Sequence, residues 1–318
     1  MRIHPFSSPG RNPKSFRVVV TFVGVLSWIL IANNELRADA KVTKSVVQLT
    51  SIFCGEVPTL LPIPDKLVVL TFDDSVKSHF RVAGPILKQF GFGATFFITE
   101  GFTFKSNKKD YMTWEEIQSL DRDGFEVGNH TGSHLAISAK TLDQLEGELD
   151  AIANRCRELG ISKPTSFAWP GNSLNQDAFP ILRKHGIRFA RRGGSPEYPY
   201  DKGQGFAYEP GLDEPLLIPS AGDARPNWQL KDFMAAVDQA KNGKIAVIQF
   251  HGVPEGEHPW VHTPLERFEE YMRYLHEHDF KVIALRDLAK YVDPTKIPAD
   301  PSAIIESRKD SLKDREKP

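Results

Sequence analysis

The sequence predicts an α/β protein in which a parallel β-sheet is covered by helices. Short apolar runs of strand length alternate with segments whose apolar residues recur at helical spacing. The run at 67–72 is almost wholly apolar, which is typical of a strand buried on both faces. The 318 residues, of which 40% are hydrophobic and 25% charged, suffice for one large domain with extra segments or for two small domains.

The predicted elements follow one another in a regular order. Strands are predicted at 67–72, 94–98, 125–129, 166–169, 187–190, 245–250 and 280–285. Capping boxes at Thr113, Thr141 and Thr263 predict helix starts, because each side chain can satisfy a free backbone N–H. A further helix is predicted over 229–242, whereas 191–228 is rich in glycine, proline and tyrosine and is predicted to form long loops.

The two ends of the chain differ in composition from the middle. A basic start, an apolar run over 18–32 and small residues at Ala38 and Ala40 predict a signal peptide over 1–40. The run is shorter than the roughly 20 residues of a membrane span, so an uncleaved membrane anchor is the weaker alternative. We therefore expect an exported protein, periplasmic or extracellular, with no stable membrane insertion after cleavage. Residues 41–65 would form a lead-in segment, and the charged tail 293–318 is expected to be disordered.

The net charge and the cysteine content give little further information about the function. The formal net charge of −1 gives no indication of a nucleic-acid partner. Cys54 and Cys156 are the two cysteines of the chain. Export permits a disulfide between them, but two buried free thiols fit the sequence equally well.

Polar residues that can carry chemistry follow several of the predicted strands. Asp73 and Asp74 follow the first strand, His130 and His134 the third, and His251 the strand at 245–250. Alone, the two acids could cap a helix and the two histidines could lie on a solvated surface. Because active residues gather at the carboxyl ends of parallel strands, we expect these side chains to meet.

Two imidazoles and one carboxylate would form a set of three metal ligands that leaves room for water and substrate. The nitrogen and oxygen ligands suit Zn²⁺ best, and also Co²⁺, Ni²⁺ or Fe²⁺. The remaining acid and the third histidine would then carry protons.

These residues resemble the motifs of the polysaccharide deacetylase family, the NodB homology domain of carbohydrate esterase family 4. Thr71 to Asp74 reads Thr-Phe-Asp-Asp, His130 to His134 reads His-Thr-Gly-Ser-His, and a late apolar strand runs into His251. The resemblance covers residues 66–292 and implies a distorted (β/α) barrel with fewer than eight strands.

The resemblance also implies a role for each residue. Asp73 would be the catalytic base, Asp74, His130 and His134 would bind the metal, and His251 would be the catalytic acid. The implied activity is that of a metal-dependent hydrolase that removes N-acetyl groups from an acetylated polysaccharide or oligosaccharide. The alternatives are an esterase that removes O-acetyl groups from xylan-type glycans and a catalytically decayed, carbohydrate-binding barrel.

The third motif of the family is less well kept. Ala168 stands where many members have an arginine, although some branches of the family also have alanine there, and Gly171 replaces an aromatic residue. The arginine that would orient the base must be replaced or dispensed with. Trp169 is a candidate substrate contact, and the Gly171 N–H is a candidate for stabilising the developing oxyanion.

The fourth motif matches loosely at Asp223 and Trp228. The resemblance implies that Asp223 holds His251 in its working tautomer. A plain loop aspartate fits the sequence equally well.

The loops contain further aromatic and basic residues. The aromatic residues Tyr198, Tyr200, Tyr208, Trp228 and Trp260 could stack on sugar rings, but packing of the loops onto the barrel is the simpler interpretation of each. Arg191 and Arg192 are interpreted as a solvated basic pair rather than a site for an acidic sugar. His258 and His262 could line the cleft, although exposed loop histidines are commoner.

Overall fold

The computed structural model describes residues 59–315. This part of the chain contains nine strands in one sheet, and the paired strands run parallel. The strands are β1 (Leu67–Phe72), β2 (Thr95–Ile98), β3 (Glu126–Asn129), β4 (Ser166–Ala168), β5 (Phe189–Arg192), β6 (Ile218–Pro219), β7 (Gly222–Asp223), β8 (Ala246–Phe250) and β9 (Lys281–Ile283). The α-helices are α1 (Gly84–Phe90), α2 (Trp114–Arg122), α3 (Leu145–Glu158), α4 (Phe179–Lys184), α5 (Leu230–Val237), α6 (Leu265–Glu277) and α7 (Ala303–Arg315).

The strand order shows how the sheet curls. It is β6-β5-β4-β3-β2-β1-β8-β7, and β9 also pairs with β1. The two edge strands, β6 and β7, follow each other in sequence and are joined by Ser220 and Ala221. The Ser220 N–H donates to Arg192 on β5, and the Ala221 N–H donates to Val247 on β8. One short segment therefore connects both edges of the curled sheet.

This topology confirms the predicted α/β class and the barrel of parallel strands, but the predicted number of strands is wrong. We expected fewer than eight strands, and the described residues form nine. The difference includes β6 and β7, which have two residues each and lie in the segment 191–228 that was predicted to be loop. Strands this short carry too few residues to show an apolar pattern.

The continuous apolar run of β1 is explained by burial on both faces. Val68, Leu70 and Phe72 pack in a cluster with residues of the surrounding helices. Leu67 and Val69 belong to a second cluster, which is built largely from residues of the other strands. Side chains of a strand alternate between its faces, so a strand at the centre of this fold needs apolar residues at every position.

The predicted capping boxes are confirmed at one site and wrong at two, although a helical segment begins within two residues of each threonine. Thr113 and Glu116 form the predicted capping box at the start of α2. Thr141 caps no α-helix, because its hydroxyl group donates to the carbonyl of Ala136 and α3 begins at Leu145. Thr263 instead donates to the carbonyl of Ala224, which fixes the loop before α6. The predicted helix 229–242 is shorter, since α5 ends at Val237.

The prediction of a disordered tail is wrong for residues 303–315, which form α7. Arg308 on this helix is buried and donates to both carboxylate oxygens of Asp213, at 2.7 and 2.8 Å, and to Glu209 at 3.1 Å. A buried arginine is tolerated where acidic groups pair with it. These partners lie about a hundred residues earlier in the chain, so the local composition of the tail does not reveal them.

Some predictions fall outside the described residues. These are the signal peptide 1–40, most of the lead-in segment and Cys54. Cys156 is buried on α3, as both alternatives for the two cysteines allow. Within residues 59–315 no helix is long and apolar enough to cross a membrane.

Candidate active site

The carboxyl ends of β1, β3 and β8 meet at one end of the sheet. They open into a cleft of about 230 Å³, which is lined by Asp73, Asp74, His130, His134 and His251. The five residues predicted to carry the chemistry are thus brought together. β1 pairs directly with β8, and β2 separates β1 from β3, so these groups converge although they are spread over 178 positions of sequence.

Asp74, His130 and His134 form a cluster that could hold a metal ion. Asp74 Oδ1 lies 3.3 Å from His130 Nε2 and 3.4 Å from His134 Nε2. This oxygen is buried and has no hydrogen-bond partner among the described residues. His130 Nδ1 lies 2.8 Å from the carbonyl oxygen of Ala168 and would donate to it, which leaves the Nε2 lone pair for a ligand bond. The donor set therefore fits a divalent cation, as the sequence predicted.

The protonation of these groups suits metal binding in part. Burial, together with the nearby His130, lowers the pKa of His134 to about 4, so its imidazole is neutral at pH 7 as ligation requires. Burial raises the pKa of Asp74, but His130 and the charge of His251 outweigh it and hold that pKa well below its usual value. Burial lowers the pKa of His130, but Asp74 outweighs it and raises that pKa, which acts against ligation of a cation at this ring.

The backbone around the ligands is held in conformations that side chains rarely adopt. Positive φ angles occur at Asp74 (72°), Ser75 (59°), Thr131 (62°) and His134 (59°). The hydroxyl group of Ser75 stabilises this turn, because it donates to the carbonyl of Thr99 and accepts from the Thr99 N–H. Such strain persists only where the surrounding structure fixes it, and it is typical of functional sites.

Two glycines and one glutamate hold the loop that carries His134. A Cβ atom at Gly132 would lie 2.8 Å from a side chain of α3, and one at Gly101 would lie 2.7 Å from the Cβ of His134. Glu148 on α3 accepts from the N–H of Ser133 at 2.7 Å and from its hydroxyl group at 2.9 Å. The loop is therefore pressed against α3 on one side and against the Gly101 turn on the other.

Asp73 is held by an arginine that the sequence did not reveal. Arg191 Nη2 lies 2.5 Å from both carboxylate oxygens of Asp73, and Arg191 Nη1 donates to Gln249 at 2.8 Å. Ala168, which stands in place of the family arginine, is the register partner of Arg191 across β4 and β5. The guanidinium group therefore reaches Asp73 from the neighbouring strand.

The interpretation of Arg191 and Arg192 as a solvated pair is wrong. Arg191 is 1% exposed, and Arg192 is also buried, where it pairs with Glu197. The predicted strand 187–190 stopped two residues too early, since β5 continues to Arg192. An arginine at a strand end, opposite Ala168, is the signal that could have identified Arg191.

His251 lies between two carboxylates. Its Nε2 atom is 3.9 Å from Asp74 Oδ2, and its Nδ1 atom is 3.7 Å from Asp223 Oδ1. Arg225 holds the other oxygen of Asp223 at 2.7 Å. Burial raises the pKa of Asp223, whereas His251 and Arg225 act in the opposite direction. The structure thus places Asp223 where the loose fourth motif predicted it, behind the ring of His251.

The remaining predicted site residues differ in whether they line the cleft. Trp169 and Gly171 both line the cleft, and a Cβ atom at Gly171 would meet nothing within 4 Å. Trp228 is buried away from the cleft, where its ring packs against Gly203 and Gly222. The prediction of Trp228 as a substrate contact is therefore wrong. Its ring fills the space that two glycines leave open behind β7.

Part of the chain is similar to known polysaccharide deacetylases. Residues 61–190 match the family model of the polysaccharide deacetylases. Over 125 residues, the chain is 26% identical to the putative polysaccharide deacetylase YxkH of Bacillus subtilis, which corresponds to 39% of this chain and 43% of that protein. Over 135 residues, it is 26% identical to the peptidoglycan-N-acetylglucosamine deacetylase of Bacillus cereus, which corresponds to 42% and 60%. The chain thus spans about half the length of these relatives.

Among solved structures, PdaA of Bacillus subtilis, a family 4 carbohydrate esterase, is similar with a TM-score of 0.47 and 17% identity over 76% of this chain and 88% of that one. The segment matched by the family model contains the motifs at Asp73–Asp74 and His130–His134. The resemblance that these motifs indicated is confirmed, since residues 61–190 match the model of the polysaccharide deacetylase family.

Proposed function

We propose that this protein is a metal-dependent hydrolase that removes N-acetyl groups from a polysaccharide or oligosaccharide. One observation carries the proposal: Asp73, held by Arg191, lies in the same cleft as the cluster of Asp74, His130 and His134. A carbohydrate-binding barrel needs neither a carboxylate aimed into the cleft nor a set of metal ligands beside it.

Asp74, His130 and His134 would hold one divalent ion, and Zn²⁺ suits this donor set best. When bound, the ion would supply Lewis acidity, which would polarise the acetyl carbonyl group and lower the pKa of a water molecule to about 7. Co²⁺, Ni²⁺ and Fe²⁺ accept the same ligands.

Asp73 acts as the base in this proposal. Its carboxylate takes a proton from the attacking water, while Arg191 fixes both of its oxygens and balances their charge. The negative charge that develops on the carbonyl oxygen needs a hydrogen-bond donor, and the N–H of Gly171 is the candidate on the cleft wall.

His251 acts as the acid. It donates a proton to the leaving amine, which is a poor leaving group until it is protonated. Asp223 lies 3.7 Å from the other ring nitrogen and favours the tautomer that carries a proton there. An ester leaves more easily than an amide, so N-deacetylation depends on His251 more strongly than O-deacetylation does.

The proposal also covers where the protein acts and on what. With a cleaved signal peptide over 1–40, the enzyme would meet acetylated glycans in the periplasm or outside the cell. The names of two relatives support this substrate class, since one is a peptidoglycan-N-acetylglucosamine deacetylase and another, from Staphylococcus aureus, is a poly-beta-1,6-N-acetyl-D-glucosamine N-deacetylase. If residues 1–40 stay attached, the same domain would act at the membrane surface.

Acetate release from a panel of glycans tests the proposal. The panel contains chitin oligomers, peptidoglycan, poly-N-acetylglucosamine and acetylated xylan. We expect release from an N-acetylated substrate, a fall in kcat of about 10²–10⁴-fold in Asp73→Asn with the metal retained, and loss of bound metal in His134→Ala. Near-normal turnover by Asp73→Asn would contradict the role of the base. Release from acetylated xylan alone would favour an esterase.

A further inference from the structure

One wall of the cleft, beyond the metal ligands, is formed by the side chains of Phe102, His258 and Trp260. Trp260 is 61% exposed and Phe102 is 47% exposed. Among the described residues, the large exposed hydrophobic side chains include three aromatic ones, those of Phe102, Tyr200 and Trp260, and all three line this cleft. Exposed aromatic groups gathered in one concave surface indicate a binding function.

The wall is a continuous row of rings that begins at the metal cluster. The ring centroid of Phe102 lies 4.6 Å from that of His134 and 4.9 Å from that of His258. The ring of Trp260 follows at 5.3 Å from His258. The row therefore leads from a candidate metal ligand towards solvent, along the path that a neighbouring sugar unit would take.

His258 has a fixed orientation within this row. Its Nδ1 atom lies 2.5 Å from Oε1 of Glu255, whose carboxylate is buried, and this contact sets the plane of the imidazole. Because Glu255 contacts Nδ1, the Nε2 atom of His258 can form a hydrogen bond with a ligand in the cleft. The mechanism proposed above uses neither Glu255 nor His258.

Glu257 fixes the two loops that form the wall. Its carboxylate accepts from the hydroxyl group of Thr103 at 2.6 Å, the side-chain amide of Asn107 at 2.7 Å and the hydroxyl group of Tyr111 at 2.7 Å. The loop of Phe102 is thereby tied to the loop of Trp260. A wall that is already fixed loses less conformational entropy when a ligand binds.

We propose that Phe102, His258 and Trp260 form a subsite for the sugar unit next to the one that is deacetylated. The indole of Trp260 stacks on the apolar C–H face of that pyranose ring, and His258 Nε2 forms a hydrogen bond with one of its hydroxyl groups. This inference rests on the proposed function and deepens it, because it names the residues that bind a second sugar of the polysaccharide or oligosaccharide.

Binding to an inactive form tests the subsite without turnover. The full chain carrying Asp73→Asn, loaded with Zn²⁺, is titrated calorimetrically with N-acetylglucosamine and with its β-1,4- and β-1,6-linked tetramers. We expect at least one tetramer to bind more tightly than the monosaccharide. Adding Trp260→Ala should weaken tetramer binding about 10-fold and leave the monosaccharide unaffected, whereas Trp260→Phe should keep most of the affinity.

The controls separate the subsite from the rest of the molecule. His258→Ala should weaken tetramer binding as well, whereas Leu212→Ala, which changes an exposed residue outside the cleft, should not. Trp260 and His258 lie at the surface of the cleft, and thermal unfolding of each variant checks that the fold is kept. Equal binding of monosaccharide and tetramers by the Asp73→Asn protein, or unchanged tetramer binding in Trp260→Ala, overturns the subsite.

Failure of the subsite differs from failure of the proposed function. If wild-type protein releases acetate and Trp260→Ala keeps the ratio of kcat/KM for tetramer over monosaccharide, the subsite is wrong and the deacetylase stands. If no glycan yields acetate but tetramer binding still depends on Trp260, the subsite stands and the catalytic proposal falls.

Discussion

The part of the barrel up to residue 190 and the part beyond it hold their site residues in different ways. Residues 61–190 supply Asp73 and the candidate metal ligands, which lie in two short motifs of fixed spacing. The later part supplies Arg191, Asp223 and His251, each of which lies beside a site residue at least 28 positions away in sequence. Arg191, for example, lies 118 positions from Asp73.

The difference follows from what each group must do. Metal ligands have to present particular atoms within a few ångströms of one another, so a turn such as His130 to His134 fixes both of them at once. An orienting group only has to reach its target, and any neighbouring strand can provide it. Ala168 and Arg191 illustrate this, because they are register partners on adjacent strands and one guanidinium group suffices for both positions.

Among the changes in the later part of the barrel, removal of the Arg191 guanidinium group should lower kcat the most. In Arg191→Met, the buried carboxylate of Asp73 loses its charged partner, and we expect kcat for acetate release to fall about 10³-fold. Breaking a buried ion pair should also lower the free energy of unfolding by about 3–5 kcal/mol. Bound metal, measured by elemental analysis, should stay near one ion per chain.

A relocated arginine sharpens the same comparison. The double variant Arg191→Ala with Ala168→Arg moves the guanidinium group to the position that many family members use. If any arginine that reaches Asp73 can orient it, kcat of the double variant should be about 10-fold higher than kcat of Arg191→Ala alone. An Arg191→Met enzyme with wild-type turnover would show that Asp73 needs no arginine.

The group behind His251 should matter less than Arg191. Asp223→Asn removes the charge 3.7 Å from the ring, so the tautomer and the protonated form of His251 are less well stabilised. We expect kcat on an N-acetylated glycan to fall about 100-fold, at the low end of what a positioned acid contributes. An O-acetylated glycan should show a smaller loss under the same conditions. Equal losses on both substrates would contradict the assignment of His251 as the acid for the leaving group.

The sequence predicted the residues that meet in the cleft as candidate metal ligands and candidate base, but it did not predict Arg191, which orients Asp73. Asp73, Asp74, His130 and His134 are local patterns after strands whose apolar runs are clear. Arg191 was missed because the last two residues of β5 are arginines, which end an apolar run although they are buried. A buried charge becomes recognisable only when its partner is known.

Partners that are distant in sequence also explain the errors in the predicted fold. The apolar runs predicted the long strands, whereas β6 and β7 consist of two residues each and leave no periodic signal. The sequence of α7 is strongly charged, and its docking depends on Arg308 and the distant carboxylate of Asp213. Local composition predicts elements that bury an apolar face, and it misses those that depend on pairing between distant charges.

The smallest effect is expected in the part up to residue 190, at the support of the metal loop. Glu148→Ala removes both hydrogen bonds to Ser133, so the turn before His134 is less well fixed. Groups that hold ligands in place typically contribute 10–100-fold in metal affinity. Because the Gly132 N–H still donates to the backbone carbonyl at 148, we expect the lower value, about a 10-fold weaker Zn²⁺ affinity in a chelator competition assay.

Two matched variants decide whether geometry or charge is responsible. Glu148→Gln can still accept from the Ser133 N–H and should keep the Zn²⁺ affinity within about two-fold, since only a neutral hydrogen bond replaces a charged one. Glu146→Ala removes an exposed acid from the same helix that pairs with Lys184 rather than with the metal loop, and it should change nothing. If Glu148→Gln weakens Zn²⁺ as much as Glu148→Ala does, the negative charge of α3 attracts the ion and the hydrogen bonds to the loop are secondary. If all three variants bind Zn²⁺ alike, the segment from His130 to His134 holds its ligands without help from α3. The position of these ligands is then fixed by the motif alone.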